Sequence, residues 1–139
     1  MVDVGANLTN KQFTDDLDTV LSDSFDAGLS ALVLTGTSLR TSFAAHQIVE
    51  DNRNKYNNKL YSTVGIHPHD AKSYNKDSYK KLARYMKFSN VVAVGECGLD
   101  YNRMFSTKEQ QKECFEALLQ LAVETQKPVF IHERDAFDD

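Results

Sequence analysis

Apolar residues fall into short runs along this chain, and each run ends on small or polar residues. Met1 to Val4 leads into Gly5-Ala6-Asn7, Ala31-Leu32-Val33-Leu34 into Thr35-Gly36-Thr37, and Tyr61 to Val64 into Gly65-Ile66-His67-Pro68-His69-Asp70. Val91-Val92-Ala93-Val94 leads into Gly95-Glu96-Cys97-Gly98-Leu99-Asp100, and Pro128-Val129-Phe130-Ile131 into His132-Glu133-Arg134-Asp135. The run from Val91 to Val94, short, uncharged and β-branched, predicts a strand covered on both faces, as in a parallel sheet.

Between the runs, apolar residues recur at helical spacing. Leu17, Val20, Leu21, Ser24 and Phe25 form one face, with Gly28 placed to stop the helix. Phe43, Ala44, Ile48 and Val49 mark a second helix, Tyr79, Leu82, Ala83 and Met86 a third, and Phe115, Leu118, Leu119 and Ala122 a fourth. Ser106-Thr107-Lys108-Glu109 fits a capping box for the last one, which Lys127-Pro128 ends. Asp51 to Lys59 reads as an exposed loop. Strands alternating with helices imply right-handed crossovers and a mostly parallel sheet, in a single domain.

In such sheets function gathers at the carboxyl ends of strands. Glu96 is expected there, between Gly95 and Gly98, and a carboxylate in that position is costly to bury without a cation or strong donors. A metal ion is the obvious partner. Taken alone, Glu96 reads equally as a helix cap or an ion-pair partner, His132 as a satisfied strand-end histidine, and His67 as a ring that stacks or caps beside Pro68. His69 and Asp70 read as a turn, and His46 as a surface residue on a helix.

Composition narrows the class. The 139 residues are 41% hydrophobic and 26% charged, with a net charge of −4, so no global basic field advertises nucleic acid. No apolar stretch approaches the roughly 20 residues of a membrane span. Cys97 and Cys114 are too few for a disulfide framework; Cys97 is expected to turn away from the face of Glu96. A reducing intracellular location follows, cytoplasmic or nuclear. A metal centre would supply local positive charge for a phosphate substrate, with Arg103 and Arg134 as helpers near the mouth and Lys108 as solvated surface.

Four motifs occur in order along essentially the whole chain. They are Asp3-x-Gly5-x-Asn7-Leu8-Thr9, Gly65-Ile66-His67-Pro68-His69, Gly95-Glu96-Cys97-Gly98-Leu99-Asp100, and Pro128-Val129-Phe130-Ile131-His132-x-Arg134-Asp135-Ala136. Together they resemble the TatD family of metal-dependent deoxyribonucleases. The resemblance implies an α/β fold, a partial TIM-like (β/α) barrel of the metal-dependent hydrolase type with about five parallel strands and alternating helices. It implies a divalent cation, Mg, Mn or Zn, and hydrolysis of DNA phosphodiesters, with RNA as a further substrate and exonucleolytic action as one mode. Carried over by residue, Glu96 matches the metal-bridging carboxylate and His132 the metal-binding histidine. His67 matches a pocket histidine suited to phosphate contact or proton transfer, and Asp3, Asn7, Asp100 and Arg134 fall in supporting or substrate-facing positions.

Two departures shape the expectation. Many relatives carry His-x-His at the end of the first strand, where this chain has Gly5-Ala6-Asn7, although one branch shares the Gly-x-Asn form. A complete eight-stranded barrel also needs about 250 residues. The chain alone is therefore expected to be a weak or inactive nuclease whose exposed edges favour self-association or a complementary fragment. The alternatives are a non-catalytic remnant that binds a partner or nucleic acid, and hydrolysis of another ester or amide by the same metal-water chemistry.

Overall fold

A computed structural model describes residues 1–139. Five strands form one parallel sheet in chain order: β1 (Val2–Ala6), β2 (Ala31–Leu34), β3 (Leu60–Val64), β4 (Val91–Asp100) and β5 (Val129–Arg134). Helices α1 (Leu17–Asp26), α2 (Leu39–Asn52), α3 (Lys76–Tyr85) and α4 (Lys108–Thr125) alternate with them. The architecture is a half-barrel of parallel βα units. No helix is long and apolar enough to cross a membrane.

Three helix starts have reciprocal side-chain caps: Ser38 with Thr41 on α2, Asn75 with Ser78 on α3, and Thr107 with Gln110 on α4. The α4 cap lies one residue later than the motif suggested. Ser106 is instead buried: its hydroxyl donates to the His69 carbonyl at 3.2 Å and accepts the Lys72 N–H at 3.1 Å.

The helix-covered side holds two cores. Leu21 of α1 and Ala45 and Val49 of α2 pack with Leu32 and Leu34 of β2 and with Leu60. Leu82 and Met86, with Cys114, Leu118 and Leu121 of α4, pack against Val64, Val91, Val94 and Cys97. Cys97 thus points away from the site, and burial pushes its thiol up to about 12.

The inward stripes are rotated from the expected ones on two helices. On α2 the buried positions are Thr41, Ser42, Ala45 and Val49, while Phe43 is exposed. On α4 they are Gln111, Cys114, Leu118, Leu121 and Ala122, while Leu119 sits at the exposed margin. Small and polar residues hold the α2 face, where the Ser42 hydroxyl donates to the Gly65 carbonyl at 3.3 Å, a contact that hydrophobicity counts do not register. In the expected loop from Asp51 to Lys59, Tyr56 is buried and stacks on Phe25 at 4.8 Å between ring centroids. His46 is not a bare surface residue either. Its ring stacks on Phe88 at 3.7 Å and its Nδ1 lies 3.1 Å from Asn90 Oδ1.

β4 is longer than the expected run. It pairs with β3 only as far as Val94, passes an irregularity between Gly95 and Cys97, and continues beside β5 to Asp100. Glu96 therefore sits within β4, at the carboxyl end of β3, rather than at the end of its own strand. Glycine is required at this bend. Gly95 and Gly98 have φ of +142° and +137°, and a Cβ on either would run into the backbone of Phe130 or His132 on β5.

Candidate metal centre

Three loops converge where β3 ends. The Glu96 N–H donates to the Gly36 carbonyl at 2.8 Å, and the His67 N–H donates to the Thr37 carbonyl at 2.9 Å. The segments after β2, β3 and β4 are thereby tied together. His67 caps the short 3-10 turn Pro68–Ser73, and His132 comes from β5. His67, Glu96 and His132 each offer a donor atom, all within 4.8 Å of one another. Glu96 Oε1 lies 3.3 Å from His132 Nδ1 and 3.9 Å from His67 Nε2.

Asp100 organises the far side of this group. Its carboxylate is 1% exposed and accepts from four donors: the N–H groups of Asn102 and Arg103 at 3.1 and 2.8 Å, His69 Nε2 at 2.7 Å and His132 Nε2 at 3.1 Å. Burial alone would raise its pKa, but these donors outweigh it and hold the carboxyl well below the usual carboxylate range. Gln111 in turn fixes the Asp100 backbone, accepting its N–H at 2.8 Å and donating to its carbonyl at 3.0 Å.

The donor chemistry fits a divalent cation. His132 places Nε2 3.1 Å from Asp100 Oδ2 and Nδ1 3.3 Å from Glu96 Oε1, so each ring nitrogen faces a carboxylate. The Glu96 carboxylate is 22% exposed, and its nearest polar partners are the imidazoles of His132 and His67. A carboxylate oxygen and imidazole nitrogens gathered this closely are the donor set that a divalent cation accepts. A carboxylate behind the ligating imidazole is also the usual second partner of such a histidine.

His67 differs from His132. Its Nδ1 accepts the His69 N–H at 3.1 Å, so the neutral ring carries its proton on Nε2, the atom facing the cleft. Burial, followed by the neighbouring rings of His132 and His69, lowers its pKa to about 4. The ring is therefore a neutral hydrogen-bond donor near pH 7.

The remaining sequence candidates separate. Asn7 lines an open polar cleft with Thr37, Ser38, Arg40, Thr41, His67, His69, Asp70 and Glu96. Asp3 pairs in register with Leu32, whose side chain packs among the helices, so Asp3 takes that helix-facing side of the sheet. Arg134 pairs in register with Asp100 but is exposed and outside this cleft. Lys108 is exposed, as expected of a solvated surface residue, and its Nζ lies over the Tyr101 ring at 4.0 Å. His69 was missed as a site residue. Its signal was the second histidine of His67-Pro68-His69, which the short helical turn folds back onto Asp100.

Comparison with known proteins agrees with this geometry. A family profile described as TatD related DNase matches residues 2–139. The chain is 42% identical over 138 residues to the 3'-5' ssDNA/RNA exonuclease TatD of Shigella flexneri, covering 99% of this chain and 51% of that protein. It is 41% identical to the protein of the same description from Escherichia coli K12, again over 99% of this chain and 51% of the relative. The chain thus spans about half the length of the curated relatives it matches. A TatD family hydrolase from Entamoeba histolytica superposes with a TM-score of 0.92 at 31% identity, over 100% of this chain and 51% of that one. A TatD homologue from Escherichia coli gives 0.86 at 26% identity, over 99% and 52%.

Proposed function

The chain belongs to the TatD-related DNase family, and on that premise we propose that it carries the amino-terminal half of a metal-dependent nuclease site acting on single-stranded DNA, with RNA as a second substrate. The observation that carries this reading is the Glu96 carboxylate set against the His132 Nδ1 at 3.3 Å, with Asp100 behind the imidazole. Relatives named as 3'-5' ssDNA/RNA exonucleases supply the polarity and the substrate class.

Glu96 and His132 would hold the cation, which when bound neutralises phosphate charge and lowers the pKa of water for attack on phosphorus. Asp100 keeps the His132 Nε2 proton in place and so leaves Nδ1 free to ligate. His67 Nε2–H, 3.9 Å from Glu96 Oε1, is a hydrogen-bond donor for a non-bridging phosphate oxygen. Asn7 offers only an amide oxygen and nitrogen where many relatives place imidazole. The mixed carboxylate and imidazole set accepts Mg, Mn or Zn, and supply rather than raw affinity selects among them.

Two sheet edges, β1 and β5, remain open, and Val2, Val4 and Ile131 beside them are exposed. These edges are where a second copy or a complementary segment would pair, which is the ground for a reading in which the isolated chain is a binding partner rather than a catalyst.

Titration calorimetry with Mn²⁺ and Zn²⁺, run beside cleavage of a 5′-labelled single-stranded oligonucleotide, tests the reading. Metal uptake and any cleavage should both fall in Glu96→Gln. Uptake unchanged in that variant would overturn the assignment.

A further inference from the structure

We propose that Phe105 is the base-stacking platform of the site, a positioning residue that receives a nucleobase next to the phosphate held at Glu96 and His132. The inference rests on the nuclease reading above and adds to it the surface that recognises the unpaired base.

A single exposed apolar residue is ordinary on a protein surface. Phe105 is not isolated in that way. It is 58% exposed, and its neighbour Met104 is 49% exposed. Its ring meets the His69 ring edge-on with centroids 5.0 Å apart, and the His69 and His67 rings are 4.4 Å apart. The aromatic face thus continues directly from the metal cluster out to solvent.

Its backbone is fixed from both sides. The Phe105 N–H donates to the Arg103 carbonyl at 2.9 Å, and the Arg103 N–H is itself bound to the buried Asp100 carboxylate. On the other side, buried Ser106 bridges Lys72 and His69, and Gln111 Nε2 donates to the Ser106 carbonyl at 3.0 Å. An exposed aromatic ring held by buried polar anchors is preorganised for a flat ligand, because little ordering cost remains to be met on binding.

The surrounding charge selects the ligand class. Arg103 is two residues from the ring, and Arg40 lines the cleft with Glu96; neither forms an ion pair with a carboxylate of this chain. An unpaired guanidinium in the cleft and another two residues along the chain from an exposed ring, in a protein of net charge −4, suit a polyanion that carries aromatic bases. A duplex keeps its bases stacked internally, so this contact is open only to a single strand or a frayed end.

The test uses short single-stranded oligonucleotides carrying 2-aminopurine, or an abasic residue, at one 3′-terminal position at a time, titrated with the chain in Mn²⁺. Binding should quench 2-aminopurine at one position. Phe105→Ala should abolish that quench and weaken binding roughly 5- to 150-fold, the range of one base–aromatic stack. Phe105→Trp should restore both. The abasic strand at that position should bind the parent chain and Phe105→Ala alike. Manganese uptake should be unchanged in Phe105→Ala. If the parent chain binds the strand but Phe105→Ala matches it on every oligonucleotide, the platform is overturned and the nuclease reading stands. If the chain takes up Mn²⁺ and binds no strand at all, the nuclease reading falls and the platform with it.

Discussion

Asp100 Oδ2 lies 3.1 Å from His132 Nε2, and this bond determines which nitrogen of His132 is free. An ionised carboxylate only accepts, so Nε2 keeps its proton towards Asp100, and Nδ1, 3.3 Å from Glu96 Oε1, is the nitrogen that would ligate a cation bound there. A residue that never touches the cation thereby prepares the ligand that does. Asp100→Asn places an amide in the same space and removes the charge that fixes the tautomer. Metal affinity should fall about 10- to 100-fold, as for other partners behind ligating histidines. Calorimetry with Zn²⁺ on the parent chain and the variant reads this directly, and equal affinities would remove Asp100 from the centre.

His67 should separate metal binding from substrate handling. Its Nδ1 is occupied by the His69 N–H at 3.1 Å, so Nε2 carries a proton and is poorly suited to ligate. His67→Ala should keep metal affinity within about threefold while lowering turnover by about 10²- to 10³-fold, the usual worth of one hydrogen-bond donor aimed at developing charge. An equal loss of metal would make His67 a ligand instead.

The metal-free protein should lose stability as the pH falls from about 6.5 to about 4. The unfolded His67 imidazole takes up a proton near 6.5, whereas the folded one does so only near 4. Between these values the unfolded state binds more protons, so stability rises with pH and is complete above the window. Solvent at the open cleft screens the effect, which should amount to about 1–2 kcal/mol and several degrees in Tm. Thermal melts in EDTA across this range should show the slope, and His67→Gln should flatten it. Asp100 adds its own loss at lower pH, because its folded pKa is depressed below the ordinary carboxylate value.

Much of this architecture was legible as pattern. The five apolar runs are the five strands, and the glycines around Glu96 marked a place where backbones approach closely. Glu96, His67 and His132 could be named because each follows an apolar run. Other features depend on tertiary contacts that leave little trace in one strand's composition. The extension of β4 to Asp100 exists because β5 supplies hydrogen bonds beyond the end of β3, and Gly98 in the sequence reads as a stop rather than a continuation. The link between His69 and Asp100 spans 31 residues and closes only when the 3-10 turn folds over β4. The face that Asp3 takes is set by strand register with Leu32, not by proximity to Asn7.

Gly98→Ala should damage the site more than the loss of the Asp100 carboxylate. Gly98 holds φ at +137°, a conformation that L side chains rarely adopt, and pairs in register with His132. An added Cβ would strike the His132 carbonyl, so β4 and β5 could not keep their spacing at the point where they present Glu96, Asp100 and His132. Backbone strain of this kind costs about 1–3 kcal/mol, and the steric overlap adds to it. The variant should therefore melt at least about 5 °C lower, and its metal affinity should fall below that of Asp100→Asn. Gly28→Ala is the control. Gly28 has φ of +97° but nothing within 4 Å of an added Cβ, and it lies after α1, far from the centre in sequence and on a different core. It should lower Tm through backbone strain alone and leave metal affinity intact. Melting curves and Zn²⁺ titrations on both variants separate the two effects. A Gly98→Ala protein with parental metal affinity would show that the β4–β5 spacing does not govern the ligand geometry.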